Sequence, residues 1–140
     1  MRRLTLFIPV LLFSCTAGID LKSVDYTVLF TDSNSKVWLV NKVIIENANI
    51  APAKNEGKDV LIFHDNGRCD LIPMKDIARK GPRKGNFTLD SDNRKLTIDF
   101  QDRTKWNFDL PYITEDSILL NAEDGSKTPF SIQIIPFPEL

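Results

Sequence analysis

Histidine occurs once in this 140-residue sequence, as His64, and cysteine twice, as Cys15 and Cys69. That scarcity excludes most metal chemistry, because a structural or catalytic zinc site needs three or four converging ligands. His64 has only Asp65 beside it and Asp70 across a predicted hairpin, so a strand-end histidine near solvent is expected, with no metal and no cofactor. The chain also lacks a Gly-x-Ser-x-Gly motif, which argues against Ser-His-Asp hydrolysis. Excess positive charge is missing too: 18 Lys and Arg stand against 19 Asp and Glu, for a formal net charge of −1. A nucleic-acid partner is therefore not expected. No apolar stretch approaches the roughly 20 residues of a membrane-spanning helix. What is present is a 42% hydrophobic fraction, typical of a folded domain rather than a disordered chain.

The longest apolar run lies at the start. Arg2 and Arg3 precede Leu4–Phe13, which contains Pro9 and is followed by Ser14 and Cys15. A charged start, a short apolar segment and a small residue before a cut site read as a secretory leader. The ending Leu12-Phe13-Ser14-Cys15 resembles the bacterial lipobox, in its looser Bacteroidetes form with Ser before Cys. The resemblance implies that Cys15 becomes the first residue of the mature chain and carries a thioether-linked diacylglycerol, usually with an N-acyl chain such as palmitate. The expected organisation is a leader over residues 1–14, a lipidated tether over 15–23 and one β domain over 24–140. Loss of Arg2 and Arg3 leaves 16 basic and 19 acidic residues in the mature chain. With Thr16 after the cysteine, the retention aspartate of inner-membrane lipoproteins is absent. Outer-membrane anchoring on the periplasmic face is expected. Cys69 then has no partner, and a half-buried strand thiol is expected.

Along the mature chain the hydrophobic period is two. Val24, Tyr26, Val28 and Phe30 alternate with polar residues and predict a first strand. Val37–Ile45 is almost entirely apolar and predicts a long strand buried on both faces for part of its length. Val60–Phe63 and Cys69–Ile72 flank Asp65-Asn66-Gly67, and Asn-Gly predicts a type I′ hairpin turn. Alternation continues through Phe87 and Leu89, then Leu96, Ile98 and Phe100, then Trp106, Phe108 and Leu110. Ser117–Asn121 and a run through Phe130, Ile132 and Ile134 complete the series. A short helix fits only between Met74 and Arg79. Eight or nine strands with short turns predict an all-β antiparallel meander.

Three segments carry a family resemblance: Lys36-Val37-Trp38 entering the first long strand, Phe63-His64-Asp65-Asn66-Gly67, and the series Asn86-Phe87-Thr88-Leu89, Leu96-Thr97-Ile98, Lys105-Trp106-Asn107-Phe108. Together they resemble the small lipocalin-like lipoproteins of the Bacteroidetes, over residues 36–135. The resemblance implies a small barrel and a non-enzymatic envelope protein, binding a small hydrophobic ligand or a partner protein. The competing reading is a structural accessory subunit of an envelope complex, docked through a sheet edge or a basic loop. Lys36 stands where lipocalins have glycine, no arginine follows Arg103 to cover the tryptophan, and the chain is short, which points to a barrel filled by side chains.

Candidate contact residues follow from type and position. Trp38 and Trp106 are the candidates for lining a pocket, with core packing as the plainer role of strand aromatics. Lys75, Arg79, Lys80, Arg83 and Lys84 form a basic segment that could meet anionic head groups, or stand as a solvated loop. Asp90-Ser91-Asp92-Asn93 begins like a calcium loop, but Lys95 occupies the glycine position, so an Asx-type turn is expected.

Overall fold

The computed structural model describes residues 24–45, 58–74, 77–128 and 130–138. The leader, Cys15 and the tether lie outside the described residues, as does Lys75.

Eight strands follow one another around a closed antiparallel barrel: β1 (Ser35–Ile45), β2 (Val60–His64), β3 (Arg68–Ile72), β4 (Arg83–Asp90), β5 (Lys95–Phe100), β6 (Lys105–Ile113), β7 (Ile118–Ala122) and β8 (Phe130–Pro136). Each pairs with its sequence neighbour, and β8 returns to β1 through Val40↔Ile134 and Val43↔Ile132. This is the meander that the period of two predicts, in the form of a small lipocalin-like barrel. Among the described residues every strand pairs with two neighbours, and β1 beyond Val40 pairs with β8.

The predicted first strand is instead a helix, α1 (Thr27–Thr31). Local hydrogen bonds decide this. Asp25 Oδ1 accepts the Thr27 N–H at 2.9 Å, and Thr31 Oγ1 donates back to the Thr27 carbonyl at 2.9 Å. Asp32 then takes φ 52° and donates its N–H to the Val28 carbonyl, and Ser33 follows at φ 62°. Two successive left-handed residues end the helix and turn the chain into β1. At helical spacing, Tyr26 and Phe30 share a face, so the alternation that resembled a strand also fits one helical turn. The other helix, α2 (Ile77–Lys80), falls where the short helix was expected.

α1 closes one end of the barrel. Phe30 is fully buried, edge-on to Phe63 at 5.2 Å between centroids, and Phe63 meets Phe87 at 5.0 Å. Trp38 is also fully buried, and its Nε1–H donates to the Phe30 carbonyl at 3.0 Å. Lys36 lies over the Trp38 ring at 4.3 Å, so a basic side chain covers this tryptophan from two residues upstream. Above this plug, Leu61, Leu96, Ile98, Phe108, Leu120 and Ile134 fill the interior.

Two irregularities set the register. At Asn41 the β1–β8 pairing shifts by one residue, so that Val40 and Val43 both face inward. The expected two-sided burial of β1 does not occur: Val43 and Ile44 are about half exposed, because β1 runs past the barrel rim. On β6, the register shifts between Asp109 and Tyr112, where Pro111 has no N–H to donate. The Asn66-Gly67 turn also differs from expectation. Gly67 alone has positive φ, at 85°, and its N–H bonds the His64 carbonyl at 3.0 Å, giving a three-residue loop rather than a type I′ pair.

Candidate functional site

At the end opposite α1 the described residues form no plug. The β1–β2, β3–β4, β5–β6 and β7–β8 connections belong to this end, and the β2–β3, β4–β5 and β6–β7 turns to the α1 end. The described residues leave a recess of about 220 Å³ there. Its floor is Leu61, Leu71 and Ile132, all buried, and its walls are Trp106 and Phe130. Val40 and Val43 border it from β1, either side of the bulge. The charged members of the lining are Asp59 and Arg83.

Trp106 is the centre of an aromatic cluster. Phe100 meets it edge-on at 4.7 Å, Phe130 at 4.9 Å and Phe108 at 6.2 Å. Arg83 joins this cluster from β4, on the inward parity shared with buried Gly85, while Lys84 points out to solvent. The Arg83 guanidinium carbon stands 4.2 Å from the Phe100 centroid and 5.5 Å from that of Trp106. Its Nε and Nη2 both donate to one oxygen of Asp102, at 3.1 and 2.8 Å. Asp102 is held below the usual carboxylate range, first by the Thr104 hydroxyl and N–H and then by Arg83.

Of the two tryptophans singled out in the sequence, Trp106 lines the recess and Trp38 does not. Trp38 is a core residue in contact with the α1 plug. The basic segment is divided. Arg79 and Lys84 are exposed, Arg83 turns inward and is paired, and the Lys80 side chain, like Lys75, lies outside the described residues. The joining of Arg83 with Trp106 was not legible from sequence, where they belong to separate motifs. Parity with Gly85 and Phe87 is the signal that places Arg83 inside.

The remaining candidates resolve into structural roles. His64 bridges Ser35 and Asp70: Nδ1 lies 2.6 Å from Ser35 Oγ and Nε2 lies 2.9 Å from Asp70 Oδ2. All three are on the outward parity of adjacent strands, outside the recess, so the trio clips β1, β2 and β3 together on the barrel wall. The Asp90 carboxylate is spent on its own turn, accepting from Asn93 N and Nδ2 at 3.1 and 2.8 Å, as an Asx turn requires. Cys69 is fully buried, and burial pushes its thiol up to about 12. A second, shallower hollow beside α1 is lined by Asp25, Asp32, Glu115 and Asp116 with Lys36. No group of three or more metal-ligating side chains occurs among the described residues.

No family model matches the chain, and no curated protein matches it in sequence. Among solved structures it is similar to a protein from Bacteroides uniformis ATCC 8492 determined by NMR, with a TM-score of 0.56 and 6% identity. The match covers 79% of this chain and 93% of that one. At that identity the likeness is one of fold.

Proposed function

We propose that this protein is a non-enzymatic, lipid-anchored envelope protein that binds a small hydrophobic ligand at the open end of its barrel. The observation that carries the reading is the recess itself: buried aliphatic side chains beneath Trp106 and Phe130, at the end of the barrel without a plug. Ligand sites combine such an apolar lining with a few fixed polar groups. The fit to a binding role is also a matter of size. A recess of about 220 Å³ has room for a ring system or a short chain.

The anchor rests on the sequence around Cys15 and on its likeness to Bacteroidetes lipoproteins. Two or three acyl chains would hold the domain at the membrane, since each buried CH₂ contributes about 0.8 kcal/mol. The expected place is the periplasmic face of the outer membrane. Metabolic labelling with a palmitate analogue should mark the wild-type chain and not Cys15→Ser; an unlabelled wild-type chain would remove the anchor.

The recess is tested with 1-naphthol, a neutral bicyclic probe, added to full-length Cys15→Ser protein followed by ¹⁵N NMR. Saturable binding should shift the Trp106 indole N–H while leaving the Trp38 indole, bonded to Phe30, in place. Absence of saturable binding, or shifts confined to Trp38, would refute the reading.

A further inference from the structure

We infer that the recess selects an anionic ligand, a small carboxylate whose apolar body rests on Trp106 and whose head group is held by Arg83. This rests on the reading of the recess as a ligand site and adds its chemical class.

Arg83 is placed as a receptor group rather than a surface charge. It is on the inward parity of β4, with its guanidinium carbon 4.2 Å from the Phe100 ring centroid and 5.5 Å from that of Trp106. Contact with these rings and the pair with Asp102 restrain the side chain, so less of its freedom remains to be lost when an anion arrives. A guanidinium carries five N–H donors. Two of those on Arg83 go to a single Asp102 oxygen, and Nη1 has no acceptor among the described residues. Among the described residues the fork is therefore only partly occupied. The Asp102 side chain is 51% exposed, where ion pairs are screened and contribute little.

The other charged member of the lining, Asp59, is engaged in an interaction of its own. Outside the mouth, exposed Arg79 and Lys84 add positive potential on the β3–β4 side. A recess of about 220 Å³ limits the body to an aromatic ring system or a short chain, and a long acyl chain would not fit inside.

The test compares 1-naphthoate with neutral 1-naphthol on the full-length Cys15→Ser chain, followed at the Trp106 indole. Charge-assisted hydrogen bonds imply that naphthoate binds about tenfold or more tighter. Arg83→Met keeps the apolar stem and should erase that preference, leaving naphthol within about twofold. Asp102→Asn removes the competing carboxylate and should tighten naphthoate severalfold, which keeps a readout should the Arg83 variant misfold. The Trp38 indole resonance reports the fold in each variant. Equal affinity for the two probes, a preference that survives Arg83→Met, or a weaker naphthoate complex in Asp102→Asn would overturn the inference while the recess reading stands. Failure of both probes to bind would remove both.

Discussion

Replacement of Phe30 by alanine should unfasten the plugged end of the barrel. Phe30 is fully buried, and its ring is the link between Trp38, 6.2 Å away, and Phe63, 5.2 Å away and edge-on. α1 itself has five residues and cannot persist on backbone hydrogen bonds alone. Its docking therefore depends on this side chain, together with partly buried Tyr26 and Leu29. A Phe→Ala change in a packed core costs about 3–5 kcal/mol through lost transfer energy and the cavity left behind. The two ring contacts belong to that figure, at about 0.5–1.5 kcal/mol each. The upper half of the range applies if the closed barrel end cannot collapse into the gap. For a domain of this size such a loss lowers Tm by roughly 10–20 °C. Urea unfolding followed by tryptophan emission measures it directly. The emission of native Trp38 should also move to longer wavelength as water reaches a ring that is now fully covered. A loss below about 1 kcal/mol, with native Trp38 emission unchanged, would show that α1 is an ornament on a barrel that closes without it.

Gly85 faces inward between β3 and β5, and a Cβ there would lie 2.5 Å from the Asp99 carbonyl oxygen and 3.1 Å from Phe100 Cα. Because backbone must move, Gly85→Ala should destabilise by about 1–3 kcal/mol or more in urea; a neutral result would mean that the β4–β5 pairing is looser than described. Cys69 yields a pH prediction. Its ordinary value of 9.0 rises to about 12 in the fold, first through burial and then through Asp70. The unfolded thiol therefore releases its proton first, and the stability contributed by the neutral form is complete below pH 9.0 and is lost as pH rises toward 12. The slope is about 1.4 kcal/mol per pH unit, and Cys69→Ala should flatten the alkaline limb of a stability–pH curve by that amount. The same burial means that native Cys69 should resist thiol reagents at pH 8 and react at the rate of unfolding; prompt labelling would contradict it.

The barrel was legible because its strands alternate one residue in and one residue out. Leu96, Ile98 and Phe100, then Trp106, Phe108 and Leu110, needed only a period of two, and short turns made them neighbours. The misreadings share a cause. Tyr26-Thr27-Val28-Leu29-Phe30 fits a strand or a helical turn, and the choice was made by Asp25, Thr31 and two left-handed residues, which no periodicity records. In β1, the run of apolar residues concealed a one-residue slip at Asn41. The candidate site was half visible. Trp106 stood out by type, but its partnership with Arg83 depends on the register of β4, β5 and β6, and Arg83 pairs with Asp102 19 residues away, both invisible to local pattern. Asp70 was placed across the hairpin from His64, but Ser35 was missed for the same reason, since it approaches His64 only once β1 lies beside β2.

The position of α1 has a further bearing on the proposed anchor. The chain enters the barrel at the α1 end, so a lipid on Cys15, as proposed, would pull on that pole. Nine residues of tether can extend no more than about 30 Å, at roughly 3.3–3.6 Å each. A barrel suspended that way would stand with the α1 pole toward the bilayer and the recess toward the aqueous space. Molecules would then reach Trp106 and Arg83 from solution rather than by lateral passage out of the lipid. Arg79 and Lys84 would meet soluble anions more readily than head groups, and contact with the membrane surface would require the barrel to lie on its side.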